Sequence, residues 1–119
     1  MQTFGELLAI FIVNELQKYP SNNIQIVELG PGRGTLMADI LGTIQQFPDT
    51  YKKLRKVSMV DASPFLKSVQ RNRLKGFTDD LDIAWFDRVE EVPKNQFTIY
   101  LAHEFFDALP VFLFKVFDA

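Results

Sequence analysis

The run Ile24-Gln25-Ile26-Val27-Glu28-Leu29, followed at once by Gly30-Pro31-Gly32-Arg33-Gly34-Thr35, constrains this chain more than any other feature. The first six residues are short, rich in β-branched side chains and closed by glycines, so they read as a buried strand. Glycines at alternate positions let the backbone turn sharply and leave no Cβ between the chain and a ligand. Helical spacing then begins with Leu36, Met37, Ile40, Leu41 and Ile44 and ends before Pro48. Strand, glycine turn and helix in this order form the context that a nucleotide-type loop requires.

The same alternation runs through the rest of the chain. Phe4, Leu7, Leu8, Phe11, Ile12 and Leu16 predict a helix over about Thr3 to Lys18, stopped by the turn formers Tyr19-Pro20-Ser21-Asn22-Asn23. Lys56 to Asp61 reads as a second strand, and Ser63-Pro64 as a cap and first helical residue opening a helix to about Leu74. Leu81 to Phe86 and Phe97 to Leu101 read as further strands, and Val111 to Phe117 as apolar and extended. Between the third and fourth strands Asp87 to Gln96 has room for about one helical turn. A parallel connection usually takes ten or more residues, so one of those strand boundaries is expected to shift. The expected fold is α/β and Rossmann-like, a partial parallel sheet with helices on both faces, and its ligand site lies at the carboxyl ends of the strands. No repeat, low-complexity segment or linker divides the chain, so residues 1–119 are expected to belong to one domain.

Composition narrows the function. With 47% hydrophobic residues the chain has the apolar content of a globular domain. Thirteen Lys and Arg against fifteen Asp and Glu, with no basic run, make nucleic acid and anionic membrane surfaces poor candidates. No stretch approaches the roughly 20 apolar residues that span a bilayer. Without Cys, and with one His, no disulfide framework or thiolate metal site is available, and no metal site is expected. Five of the twelve Phe residues, Phe105, Phe106, Phe112, Phe114 and Phe117, fall in the last fifteen positions, and such a cluster calls for a covering surface.

The glycine spacing excludes two common loops. A dinucleotide fingerprint needs glycine where Thr35 stands, and a P-loop needs Lys followed by Ser or Thr after its last glycine. Glu28-x-Gly30-x-Gly32-x-Gly34 is instead similar to the first motif of Rossmann-like S-adenosylmethionine (SAM) methyltransferases, in which the loop passes the amino-acid end of the cofactor. A purely structural turn is the alternative. Asp61 at the end of the second strand is placed to accept hydrogen bonds from both hydroxyls of a ribose, or else to cap the helix that begins at Pro64. Trp85 and Asp87 are candidates to stack on and hydrogen-bond adenine, against a reading of Trp85 as core packing. In Ala102-His103-Glu104-Phe105-Phe106-Asp107-Ala108-Leu109-Pro110, two carboxylates beside aromatics suit a cationic acceptor whose proton must leave as it takes a methyl group. The plainer reading makes Glu104 or Asp107 a turn cap and His103 a satisfied polar residue.

Taken together, Val27 to Leu36 and Ala102 to Val111 resemble the MidA/NDUFAF-type methyltransferases, the mitochondrial complex I assembly arginine methyltransferases and their bacterial relatives. Phe4-Gly5-Glu6-Leu7-Leu8 and Val60-Asp61-Ala62-Ser63-Pro64 resemble two further blocks of that family, in the family's order. The resemblance implies methyl transfer from SAM to an arginine of a respiratory complex I subunit, forming symmetric dimethylarginine. It implies cofactor contacts at Glu28, Gly30, Gly32, Gly34, Asp61 and Asp87, and acceptor-facing roles for Glu104 and Asp107. It also implies a protein partner, and a mitochondrial matrix location in a eukaryote or a cytoplasmic one in a bacterium. Family members run to several hundred residues, so the chain is expected to be the first part of the catalytic domain, weakly stable alone unless it forms a homodimer or another segment covers it. Phe112 stands where members usually carry His, and His103 where many bacterial members carry Asn. The competing function is a non-catalytic assembly factor that keeps the fold and binds through its Phe-rich end.

Overall fold

In the computed structural model, residues 3–94, 96–102 and 116–117 are described, the last two by backbone alone. The elements run α1 Phe4–Leu16, β1 Ile24–Leu29, α2 Thr35–Ile44, α3 Pro48–Tyr51, β2 Leu54–Val60, α4 Pro64–Leu74, β3 Asp82–Phe86, β4 Phe97–Ala102 and β5 Val116–Phe117. The strands form one sheet in the order β3-β2-β1-β4-β5. β1 to β4 are parallel, and the two-residue β5 pairs antiparallel with β4.

Local chemistry explains where the helices start. Thr3 caps α1 by accepting the Glu6 N–H at 3.1 Å. Ser63 caps α4 by accepting the Leu66 N–H at 3.1 Å, with Pro64 in the first turn where its missing N–H costs nothing. α1 ends at Leu16, two residues before the expected Lys18, where Lys53 Nζ donates to the carbonyls of Leu16 and Tyr19 at 3.3 and 3.1 Å. The short α3 escaped the sequence reading because four residues carry no periodicity.

One core holds the layers together. Leu8, Ile12 and Leu16 of α1, Met37, Ile40, Leu41 and Ile44 of α2 and Leu74 of α4 pack in a single cluster with Ile24 and Ile26, Val57 and Met59, and Ile99 and Leu101. These strand residues alternate along the chain and share one face of the sheet, so the described helices α1, α2 and α4 lie together on that face. The opposite face is closed around a polar network. Gln25 Nε2 donates to the Pro93 carbonyl at 3.0 Å and to Thr98 Oγ1 at 3.2 Å, while Ser58 Oγ donates to Gln25 Oε1 at 2.6 Å. All three side chains are buried with their polar atoms partnered, as a buried network must be.

The expected shift of a strand boundary between β3 and β4 is corrected by the sheet order. Both strands stand within one residue of their predicted positions, and among the described residues between them the only element is a 3-10 turn at Val89–Glu91. β4 lies beside β1, not beside β3, so the chain crosses the sheet without a packed helix. Ten extended residues reach about 30 Å, enough for three strand spacings of roughly 14 Å in total and one strand length of roughly 17 Å. That jump reverses the strand order. It leaves a topological switch point between β1 and β4, where an open α/β sheet forms its crevice.

The α1–α2 crossing depends on Gly5, where a Cβ would fall 2.6 Å from Asp39 Cβ. Gly5→Ala is expected to destabilise the full-length protein by about 1–3 kcal/mol through overpacking. Gly42→Ala, where a Cβ would meet nothing within 4 Å in a helix interior, is expected to stabilise by roughly 0.5–1 kcal/mol. Urea denaturation of the two variants checks the contrast, and equal effects would contradict it.

Candidate functional site

Strand register aligns the candidate residues. Leu29 is level with Val60 and with Ala102, and Val60 is level with Phe86, so the four parallel strands end on one line. Gly30, Asp61 and Asp87 follow the first three of these ends directly. The ladder continues one step further through Gly30 N–H to the Val60 carbonyl and Asp61 N–H to the Phe86 carbonyl, each at 3.0 Å. Residues 103–115 follow the fourth end, so Glu104, Asp107, His103 and Phe112 lie outside the described residues, as does most of the Phe-rich segment.

The bend after β1 uses the left-handed region three times, with φ of 62° at Gly30, 57° at Gly32 and 82° at Gly34. A residue with a Cβ pays about 1–2 kcal/mol for that conformation, which is why alternate glycines stand here. Gly34 N–H donates to the Pro31 carbonyl at 3.0 Å, and Gly34 forms the N-terminal boundary of α2. Above Gly32 an added Cβ would meet no atom of the described residues within 4 Å.

Beside the bend lies a cleft of about 400 Å³ lined by Thr3, Phe4 and Gly5 of the α1 start, Glu28 of β1, Gly30 to Arg33 of the bend, and Thr35, Leu36 and Asp39 of α2. Glu28 is 2% exposed, level with Met59 and Leu101 on neighbouring strands, and its Oε1 has no hydrogen-bond partner among the described residues. Burial pushes its carboxyl up to about 8 from the ordinary 4.5. An unpartnered buried carboxylate at the wall of a cleft suits a cationic ligand group, which would satisfy the oxygen and favour its ionised form.

Asp61 is joined to the bend through Gln70 of α4. Asp61 Oδ1 accepts the Ser63 N–H at 3.0 Å, and its Oδ2 accepts from Gln70 Nε2 at 3.1 Å. The same Gln70 nitrogen donates to the Gly32 carbonyl at 2.7 Å. Asp61 and the bend therefore stand on the same side of the sheet end, two hydrogen bonds apart, and Asp61 also steadies the start of α4. Gln70 is the residue that the sequence reading missed. The available signal was its place four residues before the buried Leu74, a polar side chain on the apolar face of a helix.

Trp85 and Asp87 sit differently from each other. The Trp85 indole packs against the core, donates to Gln70 Oε1 at 2.9 Å and carries the Arg71 guanidinium 4.8 Å from its ring centre. Asp87 is exposed and ion-paired through Oδ1 with Lys67 of α4, while its N–H and that of Arg88 donate to Glu91 Oε1. Among the described residues no group of His, Cys, Asp and Glu could hold a metal ion. No described helix is long and apolar enough to cross a membrane.

A glycine bend beside a cleft, a buried carboxylate without a partner among the described residues and an acid held beside the same bend at the switch point define the class of Rossmann-like nucleoside-cofactor proteins. The chain belongs to the S-adenosyl-L-methionine-dependent methyltransferase family whose model matches residues 7–118. It is 39% identical to the human mitochondrial protein arginine methyltransferase NDUFAF7 over 134 residues, which cover 96% of this chain and 30% of that protein. The Drosophila melanogaster homologue is 38% identical, over 98% of this chain and 30% of its own length. The chain thus spans about three-tenths of these relatives. A Burkholderia thailandensis protein of the COG1565 superfamily, solved with S-adenosyl-homocysteine bound, has a similar fold, with a TM-score of 0.66, 21% identity, and coverage of 98% of this chain and 34% of that one.

Burial of Glu28 sets the sign of a pH effect. Its folded-state value lies above its unfolded one, so its share of stability is intact below about 4.5 and is lost as pH rises towards 8. At pH 7 the cost is about 3 kcal/mol. Glu28→Gln is expected to make the unliganded full-length protein more stable at pH 7–8 and little changed at pH 4.5. Chemical denaturation at the two pH values checks this, and a gain independent of pH would contradict it.

Proposed function

We propose that this chain forms the cofactor-binding part of a protein arginine methyltransferase that uses SAM. In this reading residues 1–119 are the first part of a single catalytic domain, working with further chain to complete it. The observation that carries the reading is the unpartnered Glu28 carboxylate at the wall of the glycine-bend cleft, with Asp61 tied to that same bend. The donor set fits the cofactor's chemistry. Glu28 meets the amino-acid ammonium, the backbone of Gly30, Gly32 and Gly34 lines the amino-acid end, and Asp61 receives ribose hydroxyls. Asp87, steadied by Lys67, stands at the adenine end.

SAM supplies a methyl group activated by attachment to a sulfonium. The protein's part is to orient that group, exclude water and prepare the acceptor. Glu104 and Asp107 are assigned to an acceptor guanidinium, which needs carboxylates both to hold its charge and to relieve it of a proton. β4 ends at Ala102, level with Leu29 and one step from the bend, which supports this assignment. The similarity to mitochondrial NDUFAF7 proteins supports a protein substrate and a mitochondrial matrix location in a eukaryote. The finer proposal is symmetric dimethylation of an arginine in a respiratory complex I subunit.

Incubation of the full-length protein with SAM and a candidate complex I subunit is expected to add two methyl masses to one arginine, read by peptide mass spectrometry. Glu104→Gln and Asp107→Asn are expected to abolish that gain while S-adenosylhomocysteine still binds. An unchanged substrate mass with native protein would instead support a non-catalytic assembly factor. Glu28 adds an independent check. Because it is largely protonated at pH 7 when empty and ionised when it meets an ammonium, cofactor binding is expected to release close to one proton from the protein. Calorimetry in buffers of different ionisation enthalpy measures it, and Glu28→Gln is expected to remove that release.

A further inference from the structure

Gln70 is fully buried in α4, and each of its polar atoms meets a partner of one fixed kind. Its amide nitrogen donates to the Gly32 carbonyl at 2.7 Å and to Asp61 Oδ2 at 3.1 Å, while its amide oxygen accepts from Trp85 Nε1 at 2.9 Å. A carbonyl and a carboxylate only accept, and an indole N–H only donates. A flipped amide would set oxygen against two acceptors and NH₂ against a donor, so chemistry alone determines its orientation. The third glycine of the bend bears on the same residue. A Cβ at Gly34 would rest 3.4 Å from Gln70 Cα and Cγ, so α4 approaches the bend to van der Waals distance.

We propose that Gln70 is a positioning residue that locks Asp61 to the glycine bend, so that discrimination in favour of ribose hydroxyls depends on it. The inference rests on the reading of this crevice as a SAM site. With Oδ1 held by the Ser63 N–H and Oδ2 by Gln70, the plane of the Asp61 carboxylate is fixed before a ligand arrives. A carboxylate offers about four acceptor positions, so two stay directed elsewhere with their aim set by the other two. Loss of the Gln70 amide removes one of the two anchors and at the same time releases the Gly32 carbonyl. Trp85 acts one step further out. Its indole N–H holds the amide in the orientation that serves both acceptors, a use of tryptophan that space filling does not require.

The test compares S-adenosylhomocysteine with its 2′,3′-dideoxy analogue by calorimetry on full-length native protein, Gln70→Met and Trp85→Phe. Hydrogen bonds to a charged group predict a preference of roughly tenfold or more for the ribose form in native protein. Gln70→Met, which keeps the side-chain volume without donors, is expected to reduce that preference to about threefold or less, chiefly by weakening the ribose form. Trp85→Phe is expected to shift the ratio the same way by a smaller factor, and it carries the test if Gln70→Met does not fold. Equal weakening of both ligands in the variants would overturn the positioning role and leave the site reading standing. Native protein that binds neither ligand, or binds both alike, would overturn the site reading and this proposal with it.

Discussion

Three left-handed glycines at alternate positions immediately after a buried parallel strand are the constraint on which the structure turns. They allow the chain to turn sharply out of β1, to leave no described atom within 4 Å of a Cβ at Gly32, and to start α2 within a few residues of the sheet. Glu28 and Asp61 are placed around that bend. Asp61 follows the neighbouring strand end and reaches the bend through one amide, and Glu28 lies two residues upstream on the strand that feeds it. The jump of β4 to the far side of β1 opens the crevice in front of the bend rather than elsewhere along the sheet.

The site carries an energetic conflict that packing alone would not produce. Glu28 occupies a position between Met59 and Leu101 where an apolar side chain would satisfy the core, and it leaves an oxygen without a partner. Nearby polar groups show that the fold can do otherwise. Gln25, Ser58 and Thr98 on the opposite face are satisfied by one another and by the Pro93 and Gln96 carbonyls, although they are equally buried. A defect confined to the cleft wall, in a fold that partners its other buried polar groups with care, points to a ligand as the missing partner. In the proposed reading, the stability given up at Glu28 is recovered when a cationic ligand group binds.

Much of this was legible in the sequence, for identifiable reasons. β1 and α2 could be read because the glycine cluster marks their junction, and α4 because Ser63-Pro64 is both cap and first turn. Glu28, Gly30, Gly32, Gly34 and Asp61 could be singled out because strand ends and glycines fix their places without long-range information. The β3–β4 connection misled, since its length bears on a strand's neighbour and the pairing of β4 with β1 is a tertiary fact. Gln70 offered only its place on the buried face of α4, and that place gains meaning only when Gly32, Asp61 and Trp85 converge on it from three separate segments. The balance between packing and adenine stacking at Trp85 was likewise invisible, because Arg71 covers the ring from α4.

The most direct measurement is a co-crystal structure of the full-length protein with S-adenosylhomocysteine. The account predicts homocysteine nitrogen facing the Glu28 carboxylate, main chain of residues 30–34 against the amino-acid end, and ribose hydroxyls within hydrogen-bond reach of Asp61. A nucleoside bound away from the end of β1, or one seated there with Glu28 still unpartnered and Asp61 turned from the sugar, would contradict it.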